Sequence, residues 1–212
     1  MTEIAINKDE KWKFDKIKLS GYLIFIGGLQ WFLGLLAAES WTPDYSSRID
    51  YVSELGIWEM ASLYNASIFL LGVLLLTGAL LLFRYGNAKI FSVLLAITGI
   101  GAIGLGIFPG YAQPMHSIAT LVAIIAGTLA AITSFQIQGK PMSYISLILG
   151  MTALLSAIIF FPYLGLSTGS TETFLGMAKG SMERWAIYPI LAWAMSFGSY
   201  LIGASEEKIN QV

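Results

Sequence analysis

Six apolar stretches of about twenty residues each, separated by short polar segments, leave this chain few ways to fold. They cover roughly residues 19–38, 65–83, 90–108, 115–137, 142–161 and 183–203. An α-helix rises 1.5 Å per residue, so about 20 residues cross a hydrocarbon layer of about 30 Å. No water satisfies the backbone inside lipid, so unbroken runs of this length become helices, not strands of a barrel. The expectation is an all-α, polytopic bundle of six transmembrane helices within residues 19–203, flanked by polar tails at 1–18 and 204–212. Charge supports it: 12% of the residues are charged, about half the share usual in soluble domains. The bilayer is therefore the first expected partner.

Some function classes are excluded at once. A net charge of −1 offers nothing to a nucleic acid backbone. With no cysteine, disulfides, zinc–thiolate sites and cysteine nucleophiles are ruled out. Neither G-x-S-x-G nor H-E-x-x-H occurs. Gly99, Gly101 and Gly104 match G-x-G-x-x-G, but they lie inside an apolar run with no preceding strand. Close helix packing explains them, and a dinucleotide site does not. Asn65-Ala66-Ser67 fits a glycosylation pattern but sits too near the apolar run to serve as an acceptor. No internal repeat supports an inverted-repeat transporter.

Topology follows from lysine and arginine. Nine lie on the side of the termini: Lys8, Lys11, Lys13, Lys16, Lys18, Arg84, Lys89, Lys140 and Lys208. Three, Arg48, Lys179 and Arg184, lie on the other. The positive-inside rule then puts both termini in the cytoplasm of a cell-membrane protein. Trp12 and Phe14 among the first lysines suit an anionic lipid surface, although a solvated tail has the same composition. The first run could also be read as a signal sequence, with Leu36-Ala37-Ala38 as its cleavage site. Its length and long polar leader favour a retained helix.

The polar residues gather on the outward side. The loop 39–63 contains the most charged stretch, residues 47–56. Ser47 and Asp50 have capping-box spacing, Asp50 and Glu54 are four apart, and Gly56 stands where a C-cap would. The expectation is a short polar helix in the first outer loop. Near it in depth are Arg48, Asn65, His116, Glu183, Arg184 and Tyr188. His116, the only histidine, opens a helix, whose positive end disfavours the imidazolium. A neutral His116 suits a base, or a metal ligand together with Asp50 or Glu54. An interfacial histidine bonded to a loop is the plainer alternative. Arg184 and Tyr188 share a helix face, and Pro189 frees the Trp185 carbonyl, which favours a kink. Arg48 or Arg184 suits a headgroup phosphate; pairing of Arg184 with Asp50, Glu54 or Glu183 would equally hold loops together.

These residues carry a resemblance. Tyr45 to Arg48, Asp50 to Gly56, then Asn65 form a first motif. Gly104 to Pro109 with His116 forms a second, and Glu183, Arg184, Tyr188, Pro189 and Trp193 a third. Their order and spacing resemble the family catalogued as domain of unknown function 998, from the first helix to the last. The resemblance implies six helices and a polar outer cluster, with no established reaction. A more distant likeness is to the Frag1/DRAM/Sfk1 membrane proteins, some linked to lipid-anchor remodelling.

Three functions follow as expectations. The first is an unclassified multi-pass protein, lipid-interacting or an accessory subunit, whose cluster is structural or recognises a headgroup, a small molecule or a membrane protein partner. The second is an outward-facing enzyme acting on a lipid-linked substrate, with His116, Glu54 and Asp50 as catalytic candidates and Arg48, Asn65, Glu183, Arg184 and Tyr188 as binding candidates. The third is a transporter, the weakest, since no charge lies mid-membrane along helices two to five. No cofactor is assigned.

Overall fold

The computed structural model describes residues 8–84, 88–167 and 169–210. The expected tail residues 1–7 and 211–212, and turn residues 85–87, lie outside the described residues. Six helices dominate: α1 Lys8–Trp41, α2 Ala61–Leu82, α3 Lys89–Ile107, α4 Met115–Thr133, α5 Met142–Phe160 and α6 Lys179–Asn210. Among the described residues, these six are long and apolar enough to cross a membrane. The protein is therefore an all-α, multi-pass membrane bundle.

The helices differ from the apolar runs mainly at the ends. Backbone hydrogen bonds do not stop where hydropathy stops. So α1 begins at Lys8, well before the run at 19, and α6 begins at Lys179 and continues to Asn210. α6 stays helical through Pro189. The loop 162–182 was expected to hold no element. It carries a two-residue hairpin, β1 Thr173–Phe174 against β2 Met177–Ala178. Tyr163 pins this hairpin: its hydroxyl accepts the Phe174 N–H at 3.0 Å and lies 2.7 and 2.8 Å from the Phe174 and Met177 carbonyls.

Each helix packs on its neighbours in sequence, and α1 packs on α6, which closes the ring. Short connections make sequential neighbours antiparallel. Lys18 pairs with Glu206 at 2.8 Å, so the start of α1 and the end of α6 lie side by side. Glu39 meets Arg184 at the opposite end.

In lipid, the hydrophobic effect does not drive helices together, so contact depends on small residues and buried polar bonds. A Cβ on Gly72 would stand 2.5 Å from the Gly99 carbonyl oxygen, and one on Gly99 would stand 2.7 Å from that of Gly72. These glycines let α2 and α3 touch backbone to backbone. Ser20 donates to the Gly78 carbonyl at 2.9 Å, Gln30 to that of Ser67 at 2.9 Å, and the Trp193 indole to Ser134 at 2.9 Å. In the apolar core Trp193 and Phe197 stack, and Phe91 packs edge-on against Trp193 and tilted against Phe197. A second small core of Phe160, Tyr163 and Met182 sits beneath the 161–178 loop.

Candidate functional site

The polar groups converge at the end of the bundle opposite the Lys18–Glu206 pair, where the first loop meets the start of α6. The loop does not form the α-helix that its spacing suggests. Ser47, Arg48 and Ile49 turn, Asp50 bends, and Val52–Gly56 makes one 3₁₀ helix. The expected Ser47–Asp50 cap is replaced: Asp50 Oδ2 accepts the Ser46 N–H at 2.8 Å, and Glu54 Oε2 accepts the Tyr51 N–H at 3.1 Å. In consequence Asp50 and Glu54 do not act as a pair on one face. Each carboxylate ties a separate turn.

Arg184 organises the junction. Its Nη1 donates to the carbonyls of Ser47 at 2.7 Å, Gly180 at 2.9 Å and Asp50 at 3.4 Å. Its Nη2 donates to Glu39 Oε1 and to the Tyr45 hydroxyl, both at 2.5 Å. A planar guanidinium suits this fan of acceptors better than an ammonium would. Arg184 thus joins the end of α1, the loop and α6. Burial pushes the Tyr45 phenol well above its ordinary range, against the opposing pull of Arg184.

Lys179 makes the second tie. Its ammonium is fully buried and bonds Glu54 Oε1 at 3.0 Å and the Ser167 carbonyl at 2.9 Å. It also lies 4.2 Å from the centre of the Tyr51 ring, a cation–π contact in a dry setting. The Tyr51 hydroxyl donates to the Tyr163 carbonyl, linking the loop to the 161–178 segment. Burial first, then the Glu183 and Glu54 carboxylates, pushes the Tyr51 phenol well up.

Glu183 supplies the third tie. Its Oε2 accepts the Val52 N–H at 2.5 Å, satisfying a donor at the start of the 3₁₀ turn. Gly180 completes the fit. A Cβ there would come within 2.9 Å of the Ser47 carbonyl and 3.0 Å of the Arg48 carbonyl. The Ser181 N–H donates to that same Arg48 carbonyl at 3.1 Å.

Of the residues expected at the site, the structure brings together Asp50, Glu54, Glu183 and Arg184. The Arg48 side chain is exposed, and it is the backbone of Arg48 that takes part. Asn65 Nδ2 donates to the Gly56 carbonyl at 2.9 Å, fastening the 3₁₀ turn to α2. Tyr188, one turn below Arg184, is partly exposed, and its hydroxyl lies against the Arg184 guanidinium. His116 is buried, and its Nδ1 lies 2.9 Å from the Phe108 carbonyl across the α3–α4 turn. No hydrogen bond joins it to Asp50 or Glu54. Among the described residues, no group of three or more His, Cys, Asp and Glu side chains is placed to hold a metal.

Sequence reasoning missed Lys179, Glu39 and Gly180 as members of the junction. Lys179 counted only toward topology, although a lone base in a Gly/Ser/Thr-rich loop, four residues before Glu183, is a visible signal. Glu39 looks like an ordinary helix end, and nothing local distinguishes it.

Directly beneath the junction lies a cavity of about 90 Å³. Ser53 and Glu183 line its upper end, and α1, α2, α3, α4 and α6 form its walls. The walls are overwhelmingly apolar, with Trp31, Tyr64, Leu71 and Trp193 among them.

The profile of a family described as "Protein of unknown function (DUF998)" matches residues 25–200, most of the chain. Neither a curated protein nor a solved structure matches. The match spans all six helices and the whole junction, and on that breadth the chain belongs to the DUF998 family.

Proposed function

We propose that this is a lipid-interacting membrane protein that carries out no chemistry of its own, working alone or as an accessory subunit, with the junction as its structural latch. One observation carries the reading: the charged groups of the cluster are spent on closing the fold. Arg184, Lys179, Glu54, Glu183 and Asp50 each bond the loop, α1 or α6, and of these five only Glu183 also lines the cavity. The adjoining space is apolar and suits a lipid chain, not a polar substrate. The excess of lysine and arginine on the side of the termini supports cytoplasmic termini and an outward-facing latch in the cell membrane. An enzyme built on His116 has less support, because that ring bonds a backbone carbonyl rather than a carboxylate.

Lipid profiling of a deletion strain beside a His116→Ala strain tests the reading. The expected result is an unchanged set of covalent lipid species in both, with lipid retained on the purified protein. A lipid species that is lost, or a precursor that accumulates, in both strains would overturn it in favour of the enzyme.

A further inference from the structure

We propose that the hairpin of β1 and β2 is a wedge seated in the leaflet on the latch side of the membrane. Phe174 and Leu175 at its tip dip into the boundary between headgroups and acyl chains, and the partner is the lipid itself. The inference goes beyond the latch reading and needs only that the bundle spans a membrane.

Continuity with the lipid-facing surface argues for this partner. α5 is the least enclosed of the six spans. Its exposed side chains Ile148, Met151, Leu155 and Ile158 recur every three or four residues, the spacing of one helix face. The 3₁₀ turn Phe161–Tyr163 carries that spacing on to Phe161 and Leu164, both exposed. The apolar surface therefore does not stop where the α-helix stops. The Phe174 ring meets the Tyr163 ring edge-on, with centroids 6.4 Å apart, while the Tyr163 hydroxyl accepts the Phe174 N–H at 3.0 Å. This fixes the hairpin one tyrosine side chain from the end of α5, at the membrane boundary. Charge agrees: from Phe161 to Ala178 the one charged residue is Glu172. Apolar side chains with so little charge around them suit the headgroup–acyl boundary.

Leu175 is an independent observation. The pairs Thr173–Ala178 and Phe174–Met177 leave Leu175 and Gly176 as a two-residue loop. Both have positive φ, 53° and 76°, as a type I′ turn requires. Glycine meets that demand freely, but leucine does not, and asparagine or aspartate is the usual residue at the first position. Leu175 takes the backbone strain and still leaves its side chain 68% exposed, with Phe174 beside it at 44%. Facing water, such a tip loses on both counts. Seated among acyl chains, it gains the transfer free energy of two large apolar side chains. A protein partner has no comparable surface leading up to the tip.

The native chain has no cysteine. Leu175→Cys therefore takes a single bimane label, whose emission colour reports water and whose quenching reports lipid. The full-length protein is held in phosphatidylcholine nanodiscs, with or without bromine near the top of the acyl chains. The same label on Arg48→Cys, at an exposed side chain of the first loop, is the water-facing reference. Relative to it, the Leu175→Cys label should emit further to the blue and lose emission to bromine. Leu175→Asn suits the turn but not the lipid. In that background a label on Phe174→Cys should lose much of the bromine quenching that it shows with Leu175 in place. Thermal melts confirm that each variant folds. A Leu175→Cys label as red as the reference would overturn the proposal. So would one that is blue-shifted yet untouched by bromine, as beneath a protein partner or a second copy, or Phe174→Cys quenching that ignores Leu175→Asn. Lipid profiles, the measure of the broader reading, decide none of these outcomes.

Discussion

At the scale of single residues, the latch is a set of buried ions, each meeting a specific partner. Lys179 and Glu54 show what that means energetically. Both side chains are essentially out of solvent, at 0% and 7% exposure. Removing one partner strands the other charge, which costs about 3–5 kcal/mol, whereas replacing both by apolar groups can be neutral. Lys179→Met and Glu54→Gln should each lower the thermal midpoint sharply. Lys179→Met with Glu54→Leu should recover much of the loss, less what the Ser167 carbonyl and Tyr51 N–H forfeit. Melts of the two single variants and the double variant check this, and additive losses would refute the coupling. Arg184 differs in kind. It has no single counterpart that a second mutation could remove, because three of its five acceptors are backbone carbonyls.

At the scale of elements, the fit between the 47–56 loop and the first turn of α6 depends on an absent side chain. Gly180 sits against the Ser47, Arg48 and Asp50 carbonyls with no room for a Cβ. Gly180→Ala should destabilise the protein by about 1–3 kcal/mol through overpacking. The better helix propensity of alanine, worth about 1 kcal/mol, should not rescue it. An unchanged melting temperature would mean that the loop yields freely. This same contact marks where sequence reading ends. The six helices were legible because twenty apolar residues in a row admit one solution in lipid. Asp50, Glu54, Glu183 and Arg184 were legible as a group because hydropathy placed them at one depth. Their pairing was not. Ser47 and Asp50 have capping-box spacing, yet the chain turns too tightly there for an α-helix, and the carboxylates cap other donors. Lys179 chooses Glu54 across the fold over Glu183 four residues away, a choice that tertiary packing makes and spacing does not encode. The cavity, made by five helices at once, has no local signature at all.

At the scale of the whole molecule, the ring of six helices has two unlike ends. One holds the start of α1, the end of α6 and the Lys18–Glu206 pair; the other holds the latch. The native chain has no cysteine, so single cysteines can be introduced as clean reporters. Arg48→Cys and Lys140→Cys place exposed thiols at opposite ends. In intact cells a membrane-impermeant thiol reagent should label the first and spare the second until the membrane is permeabilised. The opposite pattern would invert the orientation and turn the latch toward the cytoplasm.

The latch also dictates an order of events during biogenesis. Glu54 and its partner Lys179 are 125 residues apart in the chain. A ribosome adding about 5–20 residues per second needs several seconds or more to make the second after the first. Throughout that interval the first loop has its acids but neither of the bases that bind them. Five helices can enter the membrane, but the ring stays unsealed until the last one arrives, so the newborn protein depends on its final segment to become itself.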